Sequence, residues 1–425
     1  MNAATGTGAA LRITGSEATA RATTLPCVAI LGRLGTPQLA CLRSWRRQGL
    51  RCVFLHADAA PLPRLVQALL GVPCVHLGPL RLDDEAFVAH LARALAQAGV
   101  QALTCVSEPI SEALWARRAE LPAGLQIVSV QPHQSATLAS KWRQDGLARA
   151  AGLDTLPTWC LGPGERAELP ADAYPAVVRP DEARRTLPAF KVEVVQNAAE
   201  LQRLVDRLQP GSAGVVVQPL VHGPNLLVHA WRSADERCAG HAAFRVDIKH
   251  QGLSVVMRPV QAPPEVLAGC TRMALALGLT GVFHFDFIED ARTGRLCFLD
   301  LNPRLGGSTG KALAAGYDEP LALLATLAPS ALPGAPFLRP TLRSAGGKHQ
   351  ALRALVSVLR GRSTAADYPC PARGRAVAGL LQFLLAGRDE IVNLAGWRSA
   401  LAFALYQLRR RLAAPADGMP PRPSP

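Results

Sequence analysis

Between Gly281 and Lys311 the chain reads GVFHFDFIEDARTGRLCFLDLNPRLGGSTGK, and no other stretch limits the fold as tightly. Period-2 alternation puts Phe283, Phe285 and Phe287 on one face of a strand and His284 and Asp286 on the other. After the charged turn EDARTG, the run RLCFLDLNPR places Asp300, Asn302 and Arg304 on one face, with Leu299 and Leu301 opposite. Two strands joined by so short a turn pair as an antiparallel hairpin, so Asp286 and Asp300 approach one another. The aromatic face requires a core behind it. The other face gathers two carboxylates and an amide oxygen, a hard-oxygen set suited to Mg²⁺ or Mn²⁺. Arg304 can hold a phosphate or carboxylate bidentately, and the backbone of Gly306–Gly307 opens a helix where an anion is favoured.

The rest of the chain supplies the frame. Short apolar runs at Cys27–Leu31, Cys52–Leu55, Cys74–Leu77, Ala102–Val106 and Gln126–Val130 alternate with helical patterns such as Asp84–Ala98. That alternation predicts a parallel α/β domain over residues 26–132. Gly32 and Gly35 after the first strand suit a phosphate turn or simply a tight strand-to-helix turn. A helix over Gln134–Ala151 carries Lys141. It is followed by AVVRP at Ala176–Pro180, a helix at Ala198–Leu208 and VVVQPLVHG at Val215–Gly223. The runs LLVHAW, CAGHAAFRVDI and LSVVMRPV are too closely spaced for crossover helices and read as antiparallel neighbours. The division expected is a flexible tail at 1–25, the α/β domain at 26–132, an α+β domain at 133–330 with a small lobe at about 155–222, and a Pro-rich linker with a helical basic region at 331–425.

Composition excludes several classes. The net charge is +14, but the segment from Pro340 to Pro425 alone holds thirteen Lys and Arg against four Asp and Glu. Aromatic residues are 5% and do not interleave with basic ones, which argues against nucleic acid. The apolar Leu401–Leu412 ends in Arg409–Arg411, leaving open a peripheral contact with an anionic membrane surface; a homo-oligomer is left open as well. No apolar run approaches the ~18–20 residues of a membrane span. The ten cysteines stand singly with no C-x-x-C pair, and the first 25 residues lack an apolar signal region, so a reducing cytoplasm is the expected compartment.

The D-x-N-x-R of Asp300–Arg304, preceded by G-x-x-x-x-D-F at Gly281–Phe287, resembles the metal-binding end of the ATP-grasp superfamily. The likeness is to its carbamoyl-phosphate-synthetase-like and carboxylate–amine ligase branches, and it covers roughly Cys27 to Leu327. It implies an N-terminal pre-ATP-grasp α/β domain before a two-lobed ATP-grasp domain, with ATP and Mg²⁺ (or Mn²⁺) as cofactors. It also implies small-molecule carboxylate and amine substrates joined through an acyl phosphate. By that resemblance Lys141 and Arg179 contact the nucleotide phosphates, Gln218 stands at the adenine hinge and Asn225 near the ribose. Asp286, Asp300 and Asn302 hold the metal, while Arg304 contacts phosphate and acyl phosphate, so Arg304, Asp300 and Asn302 form the catalytic set.

The sequence departs from the family pattern at three places. Arg179 stands where a lysine is usual, and Asp300 where glutamate is commoner. The loop expected to close over the phosphates, DEARRTLPAFK, has no glycine, though Arg184, Arg185 or Lys191 could donate charge there. The alternative reading is therefore a non-catalytic nucleotide-binding protein with a degenerate site. His284 reads as a substrate contact or a satisfied inner histidine. Arg245 and Lys249, on one strand face with Asp247, read as site residues or an exposed sheet face. Ser308, Thr309 and Lys311 could touch substrate or cap a helix. Cys27, Cys160 and Cys297 lack a neighbouring histidine in sequence, so no Ser, Cys or His nucleophile is evident.

Overall fold

The computed structural model describes residues 27–166, 168–233, 239–326, 343–364, 366–369 and 372–413. The expected N-terminal tail and most of the Pro-rich linker lie outside these residues.

Five parallel strands open the chain: β1 Val28–Gly32, β2 Cys52–His56, β3 Cys74–His76, β4 Ala102–Cys105 and β5 Gln126–Val128, in the order β3-β2-β1-β4-β5. Helices α1 Thr36–Arg47, α2 Arg64–Leu70, α3 Glu85–Ala98 and α4 Glu108–Ala116 connect them. The continuous apolar strands explain the parallel arrangement, since both faces are covered. One face packs Val28, Ile30 and Phe54 with Trp45; the other packs Ala29, Leu31 and Leu55 with Phe87, Val88 and Leu91 of α3. Gly32 and Gly35 make the turn into α1, with the Gln38 side chain folded against both.

The helix expected over Gln134–Ala151 is two helices, α5 Pro132–Leu138 and α6 Lys141–Ala150. Ser140 breaks them because its hydroxyl caps α6, accepting from the Arg143 N–H, while also donating to Asp181 at 2.8 Å. Lys141 is thus the first residue of α6 rather than a mid-helix one. The small lobe is a four-stranded sheet of β6 Trp159–Leu161, β7 Ala176–Pro180, β8 Glu193–Val195 and β9 Val215–Pro219 in the order β6-β9-β7-β8. Helix α7 Ala198–Val205 covers it.

The large sheet carries β10 Asn225–Arg232, β11 Ala239–His250, β12 Leu253–Val260, β13 Gly281–Glu289 and β14 Leu296–Asn302, with α8 Pro264–Ala276 between β12 and β13. These strands are antiparallel neighbours, as their short connections require. Phe283, Phe285 and Phe287 are buried beneath α6 and α8 with Leu301 and Phe298; burying each ring contributes roughly 1.5–3 kcal/mol. Beyond β14 come α9 Thr309–Ala314 and α10 Glu319–Ala325. These pack against α1, whose Ser44 Oγ donates to Asp318 at 2.5 Å and whose Trp45 Nε1 donates to the Pro320 carbonyl at 3.0 Å.

The C-terminal region is integral to this body. Strands β15 Ala345–Gly346 and β16 Arg388–Asp389 extend the large sheet past β12. Helices α11 Lys348–Leu359 and α12 Arg373–Ala386 cover β11 and β12. Helix α13 Val392–Ala413 returns to the first domain against α2. Its Tyr406 is buried and donates to Asp58 at 2.9 Å, Arg409 donates to the Pro61 carbonyl at 2.8 Å, and Arg410 lies over the Tyr406 ring. Among the described residues no helix is long and apolar enough to cross a membrane.

Candidate active site between the lobes

The hairpin of β13 and β14 carries the site, and its register fixes the geometry. Asp286 stands directly opposite Asp300, and His284 opposite Asn302. Past that point the register shifts, so that Phe287 pairs with Phe298 and Leu299 becomes the extra residue of a β-bulge. Leu299 therefore leaves the face of Leu301, where alternation placed it. It joins Leu156, Val221, Ile288 and Cys297 in a small apolar cluster on the site's side of the hairpin.

A chain of polar groups runs along β14. Lys141 Nζ reaches Asp300 Oδ1 at 2.5 Å, Asn302 Nδ2 donates to Asp300 Oδ2 at 3.3 Å, and Arg304 Nη2 donates to Asn302 Oδ1 at 3.4 Å. The lysine is aimed by its helix: the Leu301 N–H donates to Gln144 Oε1 of α6 at 2.8 Å, and Asp181 receives the Trp142 N–H at 2.8 Å. Burial works against the Asp300 charge, yet Lys141 and Arg179 hold its carboxyl below the ordinary range. Asp286 behaves oppositely: burial, then the facing Asp300 charge, push it up to about 7. Among the described residues none hydrogen-bonds or ion-pairs with the Asp286 side chain. An uncompensated carboxylate facing a second one, with an amide oxygen two residues on, fits a hard divalent cation.

The small lobe contributes Arg179, whose Nη2 donates to Gln218 Oε1 at 2.7 Å and whose Nη1 donates to the Leu299 carbonyl at 3.4 Å. Gln218 is buried and passes its own amide to Thr158 Oγ1 at 3.0 Å. The Asn225 Oδ1 accepts from Lys249 Nζ at 2.8 Å, so these two sit together at the start of β10. Arg245 instead pairs with Glu289 at 3.0 Å. The glycine-free segment after Arg179 is fastened to its neighbours. The Thr186 hydroxyl donates to the Gly214 carbonyl at 2.9 Å, the Ala213 N–H donates to the Arg185 carbonyl at 2.8 Å, and Arg184 pairs with Glu112 at 2.8 Å. Arg185 pairs locally with Glu182 and Lys191 is exposed, so Arg184 is the one of the three that bridges to another domain.

Beyond Pro303 the expected geometry changes. Arg304 lies past the end of β14, and its Nε donates to Glu108 Oε1 at 3.1 Å. The Gly306 N–H is not free for an anion, because it donates to Thr309 Oγ1 at 3.0 Å. Lys311 is buried and faces Glu390 at 3.5 Å, away from the hairpin's polar row. Ser308 occupies the cap position of α9 but makes no capping bond; its hydroxyl meets His229 Nε2 at 3.1 Å. His284 is an inner histidine, hydrogen-bonded to Glu319 and stacked on His229 with ring centroids 3.8 Å apart.

Sequence reading missed Glu108, Glu112, His229 and Glu319. Glu108 had a signal: it follows the carboxyl end of β4, beside β1, where the strand order reverses and open parallel sheets bind ligands. Glu112 stands one turn further along the same helix. The other two become visible only when β10 pairs with β13 and α10 packs beneath.

By sequence, no family model and no curated protein matches the chain. The fold does match solved structures. The ADP complex of N5-carboxyaminoimidazole ribonucleotide synthetase superposes with a TM-score of 0.58 at 15% identity, covering 80% of this chain and 87% of that one. The L-amino acid ligase from Bacillus licheniformis gives 0.56 at 18%, covering 76% and 79%. Pyruvate carboxylase from Rhizobium etli gives 0.56 at 18%; the match covers 75% of this chain but only 29% of that much longer one. The chain has the ATP-grasp fold.

Proposed function

We propose that the protein is an ATP-dependent ligase that converts a carboxylate to an acyl phosphate and joins it to an amine, releasing ADP and phosphate. The observation that carries this reading is the facing pair Asp286 and Asp300, flanked by Lys141 on one side and by Asn302 and Arg304 on the other. Lys141 and Arg179 approach the same carboxylate from two lobes, as groups that grip a polyphosphate between them would. The cluster of Leu156, Val221, Ile288, Cys297 and Leu299, next to Gln218 on the hinge strand, offers a flat base an apolar seat. Asn225 and Lys249 then suit the sugar side.

Asp286, Asp300 and Asn302 would hold Mg²⁺, which would supply neutralisation of phosphate charge during phosphoryl transfer. Arg304, steadied by Glu108, would be the guanidinium that stabilises an acyl phosphate and the anion formed as an amine adds to it. The neighbours in fold are consistent with such chemistry: one is a synthetase in complex with ADP and another is an L-amino acid ligase.

The test is a screen of amino acids and other small acids, paired with amines, for stimulated ADP and phosphate release in the presence of Mg²⁺. Stimulation by one acid–amine pair supports the reading. Release of AMP and pyrophosphate overturns it in favour of adenylation. Tight Mg–ATP binding without acceptor-dependent release points to a nucleotide-binding protein instead.

A further inference from the structure

Next to the polar row, three side chains from separate elements form a second constellation. Ser308 Oγ lies 3.1 Å from His229 Nε2 on β10, and His229 Nδ1 lies 3.1 Å from Glu319 Oε1 on α10. The carboxylate offers only acceptors, so His229 carries its proton on Nδ1 and presents the bare Nε2 lone pair to the serine hydroxyl. His229 and Glu319 are wholly buried, whereas Ser308 is only partly so and follows the exposed Gly307, beside which a side chain would meet open space. Burial opposes the Glu319 charge, but His284 and His229 bond to it and keep the carboxyl well below its ordinary range; the Thr309 hydroxyl also donates to it at 2.6 Å. Helix α1 anchors the start of α10 through Ser44 and Trp45, so the acid is held rigidly. A buried histidine–carboxylate pair aimed at an accessible hydroxyl is more than a helix cap requires.

We propose that Ser308 is an activated nucleophile, with His229 as its base and Glu319 as the residue that positions His229, making an acyl-transfer site beside the nucleotide cleft. The acyl donor is an activated ester or acyl phosphate. Ser308 Oγ bonds to the carbonyl carbon as its proton passes to His229 Nε2. The carbon–oxygen bond to the leaving group breaks, and the proton goes from His229 to the departing oxygen. The serine ester is then cleaved by water or an amine, whose proton follows the same path. This proposal is independent of ligation, because its test uses no nucleotide. His229, His284 and Glu319 could also converge on a metal ion, but Glu319 Oε1 already lies within hydrogen-bond distance of both rings.

The full-length protein is treated with a fluorophosphonate probe, and p-nitrophenyl acetate hydrolysis is followed in parallel. The expected result is labelling that maps to Ser308, with ester turnover at least about 100-fold above the S308A and H229Q variants, the lower range for a positioned base. Ser308→Ala removes one partly exposed oxygen, so it is read without concern for folding. Glu319→Gln should slow labelling at Ser308 without unfolding the protein, and Glu319→Asp, which keeps the carboxylate, should restore part of the rate, a rescue that a purely structural role would not produce. Labelling of wild type no faster than S308A, labelling at another residue, or a folded H229Q variant labelled at the wild-type rate each overturns the proposal. So does one equivalent of zinc in the purified protein that is lost in H229Q.

Discussion

Replacing Asp300 with asparagine separates the chemistry of the site from its stability. The substitution keeps the shape and removes one charge from the pair facing across β13 and β14. Two unit charges at about 4 Å with an effective dielectric near 20 interact by about 4 kcal/mol, so losing one carboxylate ligand should weaken Mg–ATP engagement and turnover by about 10³-fold. Stability moves far less. The variant loses the Lys141–Asp300 pair, whose side chains are 24% and 22% exposed and which contributes about 1 kcal/mol. It gains relief for Asp286, whose raised pKa reflects burial and then the Asp300 charge. The net change should stay within about 1 kcal/mol, a shift of a few degrees in Tm at most. Thermal melts measure the second quantity. Titration of a fluorescent ATP analogue with and without Mg²⁺ measures the first. A variant that binds Mg-nucleotide within threefold of wild type refutes the assignment of Asp300 to the metal.

Asp286→Asn should show a pH signature. The folded-state pKa of about 7 exceeds the ordinary carboxyl value of 3.8, so the folded state holds the extra proton between those limits and wild type loses stability as pH rises through them. The variant should exceed wild type by roughly 2–4 kcal/mol in urea melts at pH 8 and by almost nothing at pH 4; equal midpoints at both values would contradict this. Glu108→Ala frees Arg304, and should cut acceptor-stimulated ADP release by about tenfold or more while the affinity for Mg–ATP is unchanged; a matching loss of nucleotide affinity would place Arg304 elsewhere. Tyr406→Phe removes the bond to Asp58 and should cost about 1 kcal/mol in the same melts.

The hairpin was legible in the sequence because period 2 is unambiguous when three phenylalanines alternate with His284 and Asp286, and no crossover fits between the strands. The bulge at Leu299 was not, since an added residue leaves the composition of a strand unchanged while reversing which face the preceding residues adopt. Arg304 was read as continuing β14, but Pro303 ends the ladder and frees the guanidinium to reach Glu108 in another domain. The break at Ser140 was missed because apolar periodicity continues across it, although a serine directly before Lys141 is a capping signal. The Ser308–His229–Glu319 constellation spans 79 and 90 residues of chain between its bonded members. Such spacing carries no local pattern, and only strand pairing and helix packing create it. The basic, apolar-faced end of the chain leaves a peripheral membrane contact open in sequence terms; in the fold, part of it covers apolar surface of the first domain.

The contact between Tyr406 and Asp58 bridges 348 positions. On a ribosome, the first domain emerges hundreds of residues before the helix that shields Val66 and Leu69, so it waits with that apolar patch bare until that helix has been made. A prematurely terminated product would carry a sticky half-finished domain, and an affinity tag fused near Ala413 would compete with the very step that completes it.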